Sequence, residues 1–189
     1  MHIPRRIRLD KNIITIQPGE FHVSAEDELI GTLLGSCVSV CLHDPVRRIS
    51  GMNHFMLPGR IVGADMFMDQ SARYGIRAIN DLLALVEKMG AMRRDLIAKI
   101  FGGGHVILTT FESNTIPFDN IRLARTMLEL EDIPIVEMDV GGSHARKILM
   151  EVSTGAVFLK YIVRSENIEV IDDTDENEPC DAHRIAVNI

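Results

Sequence analysis

Nothing in the 189-residue sequence approaches the roughly 18 consecutive apolar residues that a membrane-spanning helix needs. Cysteine is scarce. The three present (Cys37, Cys41 and Cys180) are an odd, widely spaced set that argues against a disulfide framework. The basic start, Met1-His2-Ile3-Pro4-Arg5-Arg6-Ile7-Arg8, lacks the apolar run of a secretory signal. These absences together predict a cytoplasmic protein, in a compartment that keeps thiols reduced. No GxGxxG occurs, and Gly102-Gly103-Gly104-His105 lacks the Lys-Ser/Thr of a phosphate loop, so the three glycines read as a sharp turn or a close backbone approach. Outside the N-terminal arm no basic face with interleaved aromatics suits nucleic acid. A zinc site built from Cys37, Cys41, His43 and His54 fails on reach. Residues 37 to 43 span roughly 20 Å along a strand, too far for one tetrahedral ion, so neither metal nor cofactor is expected.

What the chain does have is enough apolar sequence (46%) for one domain with a real core. The net charge of −7 is unevenly spread. Glu166, Glu169, Asp172, Asp173, Asp175, Glu176, Glu178 and Asp181 fall in a stretch without Lys or Arg, and the rest of the chain is close to neutral. Three regions are therefore expected: a basic arm over 1–12, a domain over 13–163, and an acidic, solvated tail over 164–189. Within the domain, 13–34 holds two or three short strands, and a hairpin runs over about 37–43 and 49–56. A helix is expected from Ser71 as its N-cap: Tyr74, Ile76, Ile79, Leu82, Leu83, Val86 and Met89 recur at helical spacing, and Gly90 ends the run. Leu96–Phe101 reads as a strand. Asp119 is expected to cap a second helix burying Ile121, Ala124, Met127 and Leu128. The last strands fall in 133–140 and 148–163, with Ser153-Thr154-Gly155 as a turn. The pattern predicts a single α/β domain with a mostly antiparallel sheet and two main helices. The ten methionines read as core filler.

One pair of residues carries chemistry. Cys37 lies in Thr32-Leu33-Leu34-Gly35-Ser36-Cys37-Val38-Ser39-Val40, and His54 in Gly51-Met52-Asn53-His54-Phe55-Met56-Leu57-Pro58. If the intervening turn centres on Pro45-Val46, Asp44 opposes Arg47 and Cys37 opposes His54, with Cβ atoms about 4.5–5.5 Å apart. A turn moved by one residue keeps both on one face. An imidazole beside a thiol can take its proton and leave a nucleophilic thiolate. Free cysteine is more often an inert core residue, and a strand histidine more often structural. Two details favour chemistry: Gly35-Ser36 allows close backbone approach to an oxyanion, and large apolar residues flank Asn53-His54.

The blocks Thr-Leu-Leu-Gly-Ser-Cys-Val-Ser-Val-Cys-Leu-His-Asp-Pro and Asn-His-Phe-Met-Leu-Pro resemble the CheD family of bacterial chemoreceptor glutamine deamidases. Tyr74 early in a helix, Ala98-Lys99-Ile100-Phe101-Gly102-Gly103-Gly104, and Gly141-Gly142-Ser143-His144-Ala145-Arg146 extend the resemblance over about residues 13–163. It implies a layered α/β/β sandwich and hydrolysis of receptor glutamines to glutamate, with release of ammonia and adjustment of chemotactic adaptation. Cys37 would be the nucleophile, His54 the general base and acid, and backbone near Gly35 and Ser36 the oxyanion site. It also implies methyl-accepting chemotaxis receptors as protein substrates and a CheC-type phosphatase as a binding partner. The family places a threonine upstream of the cysteine to orient the histidine. Thr32 is the candidate, although a one-residue slip would reverse its face unless a bulge at Gly35 restores it; it reads equally as an ordinary strand residue. Two other functions stay open. One is a non-catalytic adaptor for receptors or the phosphatase. The other is hydrolysis of a thioester or methyl ester by the same pair.

Overall fold

The computed structural model describes residues 11–57, 70–106 and 115–162. In chain order the elements are β1 (Ile13–Thr15), β2 (Phe21–Ser24), β3 (Leu29–Leu34), β4 (Val38–Asp44), β5 (Ile49–Asn53), α1 (Gln70–Lys88), β6 (Ile97–Gly102), α2 (Ile116–Leu130), β7 (Ile135–Val140), β8 (Ala145–Glu151) and β9 (Val157–Ile162). One sheet runs β1-β3-β8-β9 and the other β2-β5-β4-β6-β7. Pairing is antiparallel except at β1–β3 and β6–β7. Both helices lie on the five-stranded sheet, α1 against β2, β4 and β5 and α2 against β4, β6 and β7.

Period-two alternation builds the two cores. In β4, Val38, Val40 and Leu42 face the helices, where they meet Ile79, Leu82, Leu83, Leu123 and Leu128. Cys41 on the same strand faces the other sheet and packs with Ile30, Leu34, Met52, Phe101 and Ile148. A strand covered on both sides should be apolar throughout, and all seven residues of β4 are buried. The result is the expected α/β/β sandwich. The basic arm before residue 11 and the acidic stretch after residue 162 lie outside the described residues.

Boundaries differ in two places. Helix α1 begins at Gln70, so Ser71 is inside it rather than its cap. Helix α2 begins at Ile116, with Thr115 before it and Pro117 in its first turn, so Asp119 is not the cap. Asp119 instead accepts a hydrogen bond from the Thr115 hydroxyl at 2.9 Å. A first-turn proline fits because its missing N–H has no helical partner to lose.

Candidate active site

The chain changes sheets at Gly35-Ser36-Cys37, since β3 belongs to the four-stranded sheet and β4 to the five-stranded one. All three carbonyls of this crossing are held from within. Gly35 O accepts from Gly104 N–H (2.8 Å) and Cys37 O from Gly103 N–H (2.7 Å). Ser36 O accepts from Asn120 Nδ2 at 3.0 Å. Gly102 has φ 111°, and a Cβ there would lie 2.2 Å from Cys37 O, so only glycine permits this contact. The Gly102–Gly104 turn is therefore the floor under the cysteine, the close backbone approach anticipated for it.

His54 is 3% exposed and faces the space between the sheets, as do Met52 and Ser50 two and four residues earlier. Its backbone is fixed from the β2 side: His54 N–H donates to Glu20 O and His54 O accepts from Gly19 N–H. Its Nδ1 lies 2.8 Å from the hydroxyl of Thr32. That hydroxyl donates its one proton to the Ile16 carbonyl, also at 2.8 Å. Thr32 is thus an acceptor toward the imidazole, which places the ring proton on Nδ1. Nε2 then carries a bare lone pair, and it is buried with no hydrogen-bond partner among the described residues.

Cys37 and His54 share a face but do not oppose one another. The register pairs Asp44 with Ile49, Cys41 with Met52 and Val38 with Phe55. It is set by a four-residue turn in which the Asp44 carboxylate accepts from the N–H groups of Val46 and Arg47 and Arg48 takes φ 56°. A two-residue turn on Pro45-Val46 would need positive φ at its first position, which proline cannot adopt. Continuing the observed register sets Ser39 across from His54 and Cys37 across from Met56. Cys37 and His54 are then diagonal neighbours, about 7–8 Å apart. The Cys37 thiol donates to Met56 Sδ at 3.7 Å, and the Ser36 hydroxyl to the same sulfur at 3.6 Å. Thr32 needs no bulge to reach the interlayer face. Its phase relative to Cys37 is decided by the crossing between sheets.

Burial favours the neutral form of both Cys37 and His54. Burial pushes the Cys37 thiol up from its ordinary value, partly offset by its own backbone N–H. Burial pushes His54 down to about 4, opposed by the Ile16 carbonyl. Cys41 is a different case: fully buried, with its thiol pushed up to about 12, it is packed rather than reactive.

The family model described as CheD chemotactic sensory transduction matches residues 56–161. "Probable chemoreceptor glutamine deamidase CheD 1" of Anaeromyxobacter dehalogenans is 40% identical over 149 residues, covering 79% of this chain and 84% of the relative. The protein of the same name from Shewanella oneidensis is 40% identical over 163 residues, covering 86% of this chain and 79% of its own. The chain belongs to the CheD family. Among solved structures, the Neisseria meningitidis protein NMB0706 is similar at 11% identity and a TM-score of 0.44, over 72% of this chain and 64% of that one.

Within this CheD chain, two buried residues support the site: Asn120, which the sequence pattern does not mark, and Arg146, the last residue of the Gly141–Arg146 block. Asn120 of α2 is fully buried; its Oδ1 accepts from Leu57 N–H at 2.8 Å while its Nδ2 holds Ser36 O. Arg146 of β8, 1% exposed, donates to the carbonyls of Gly102, Asp139 and Gly141 and to the Asp139 carboxylate at 2.8 Å. It braces the glycine turn and does not contact the thiol. A polar residue at a core position of a helical pattern is the one signal that could have singled out Asn120. Residues 107–114 lie outside the described residues, and Ile116 and Phe118 belong to α2.

Proposed function

We propose that this chain hydrolyses glutamine side chains of chemoreceptors to glutamate, with Cys37 as nucleophile and His54 as base and then acid. The relatives' printed names support the substrate and reaction. The observation that carries the mechanism is the Thr32–His54 pair, which leaves a buried, unprotonated Nε2 on a residue that shares its sheet face with Cys37.

The neutral resting pair defines the first step. The thiol rotates from Met56 Sδ toward His54 Nε2, and its proton passes to the imidazole as sulfur attacks the carboxamide carbon. The carbonyl oxygen becomes an oxyanion. A trans peptide points C=O and the next N–H in opposite directions. With the Gly35 and Ser36 carbonyls held inward, the N–H groups of Ser36 and Cys37 face outward and supply the oxyanion donors, each worth about 3 kcal/mol. The imidazolium gives its proton to the departing ammonia, and a thioester remains. Water, deprotonated by His54, attacks the thioester, leaving glutamate and a free thiol. Atoms and charge balance without a cofactor. The same reading places the reaction in the cytoplasm, at the receptors' cytoplasmic helices.

The test incubates wild type and Cys37→Ala with a receptor cytoplasmic fragment and maps Gln-to-Glu conversion by peptide mass spectrometry. Conversion by wild type alone is the expected result. Equal conversion by both would sink the nucleophile. A fragment bound but never converted would favour an adaptor, and adding a CheC-type phosphatase to that mixture tests the second partner.

A further inference from the structure

Helix α2 turns one fully buried amide, Asn120, toward the nucleophile loop. Its neighbours on the same face, Leu123, Ala124, Met127 and Leu128, are apolar, and an apolar residue at 120 would be the default choice for packing. A buried amide destabilises unless it is hydrogen-bonded. Both of its bonds go to main chain at the site: Nδ2 to Ser36 O at 3.0 Å and Oδ1 from Leu57 N–H at 2.8 Å. The orientation of the amide follows from chemistry, because Leu57 offers only a donor and Ser36 O only an acceptor. One side chain therefore ties the residue before Cys37 to the end of the segment that carries His54.

The bond to Ser36 O has a second consequence. Ser36 C=O and Cys37 N–H belong to one peptide unit, and no peptide among the described residues is cis. A donor on the carbonyl fixes the direction of the N–H on the opposite side and polarises it, strengthening that N–H as a donor. We propose that Asn120 is a positioning residue for oxyanion stabilisation, acting through the Ser36–Cys37 peptide. The inference rests on the deamidase reading above and extends it to a side chain that does not touch substrate.

Asn120→Asp separates this role from simple scaffolding. The carboxylate still accepts from Leu57 N–H but has no donor for Ser36 O. Three readouts are compared with wild type: kcat and KM for receptor-glutamine conversion, and the rate at which iodoacetamide alkylates Cys37. Alkylation needs the sulfur but forms no oxyanion. The expected result is a kcat lowered about 10- to 100-fold, with KM and alkylation rate each within about 3-fold of wild type. The ratio of variant to wild-type kcat should also rise as pH falls through the carboxyl's own titration, since a protonated acid can again donate to Ser36 O. Asn120→Ala, which loses both bonds, should not show that acid recovery. Unchanged kcat in Asn120→Asp would overturn the inference while leaving the deamidase intact. A parallel fall in kcat and alkylation would also overturn it, because the loop as a whole would have moved. Absence of conversion by wild type would remove the deamidase reading, and this inference with it.

Discussion

Two hydroxyl–imidazole pairs sit at opposite ends of the space between the sheets, and only one of them has the makings of a catalyst. At one end Thr32 Oγ1 lies 2.8 Å from His54 Nδ1 and donates to Ile16 O. At the other Ser50 Oγ lies 2.8 Å from His43 Nδ1 and donates to Val152 O at 2.7 Å. In both, the single hydroxyl proton goes to a carbonyl, so both rings carry their proton on Nδ1. In both, burial pushes the imidazole below its ordinary value. Each ring even has a cysteine on its strand face or the facing strand. The two rings are equally buried, and the difference lies in the cysteine beside each. His43 lies under Gly155, where an added Cβ would fall 2.4 Å from its ring, and its neighbour Cys41 is fully buried. His54 instead shares its sheet face with a half-buried cysteine, Cys37, in a loop whose Gly35, Ser36 and Cys37 carbonyls are all held by hydrogen bonds. A hydroxyl partner sets the tautomer; the surrounding backbone decides whether that tautomer meets a substrate.

The largest expected effect comes from exchanging the two rings for glutamine. His54→Gln removes the proposed base and acid and should lower kcat by roughly 10³-fold, within the usual span for general acid–base groups. His43→Gln should leave kcat within about 2-fold of wild type and cost on the order of 1–3 kcal/mol of stability, from an imperfectly satisfied buried network. Receptor-glutamine conversion and urea unfolding on both variants decide it. Comparable losses of turnover would erase the distinction between the two ends.

The shared face of Cys37 and His54 was legible from residue pattern, the Ser50–His43 pair was not, and the illegible part has definite causes. Strict alternation in 37–43 and 49–56 was sufficient to put Cys37 and His54 on one face, because a turn displaced by one residue preserves facing. It was not sufficient for which residue opposes which, since that depends on Asp44 capping a longer turn around Pro45. The phase of Thr32 depends on a crossing between two sheets, and local periodicity carries no information about which sheet a strand joins. The resemblance to CheD proteins supplied the layered sandwich; pattern alone stopped at a mixed α/β domain. Asn120 and Arg146 act through backbone carbonyls distant in sequence, contacts that leave no mark on the periodicity of their own elements.

A smaller effect sharpens the comparison of the two hydroxyls. Thr32→Val keeps the shape of the side chain but leaves Ile16 O and His54 Nδ1 without their shared partner. The ring can then populate the other tautomer, with its proton on the nitrogen that accepts from Cys37 in the proposed mechanism. A kcat lowered about 10- to 100-fold with little change in KM is expected by analogy with residues that orient a catalytic histidine. Thr32→Ser should recover most of it, since the hydroxyl is what matters. Ser50→Ala breaks the corresponding bonds at the other end and should change stability without changing kcat. Loss of turnover in Ser50→Ala with none in Thr32→Val would reverse the assignment of the two pairs.

The smallest effect is in the acid dependence of stability, where both ends contribute with the same sign. In the folded protein His54 titrates near 4 and His43 below its ordinary value, whereas in the unfolded chain both titrate near 6.5. Between about pH 6.5 and 5 the unfolded chain therefore binds more protons, so stability is full above that window and falls as pH falls through it. Each histidine can add a slope of at most about 1.4 kcal/mol per pH unit. Asp44, held down to about 2 chiefly by the N–H groups of Arg47 and Met92 against the opposing effect of burial, contributes stability that is lost only at lower pH, below its unfolded value. Urea midpoints measured from pH 7 to 5 should thus decline in wild type and decline less in either glutamine variant, with His54→Gln flattening the curve more than His43→Gln. That ordering follows from the deeper depression of His54, whose buried Nε2 has no acceptor among the described residues to stabilise a second proton. A flatter curve for His43→Gln would mean that His54 is better solvated than its surroundings imply, and the neutral resting pair would have to give way to a thiolate–imidazolium one.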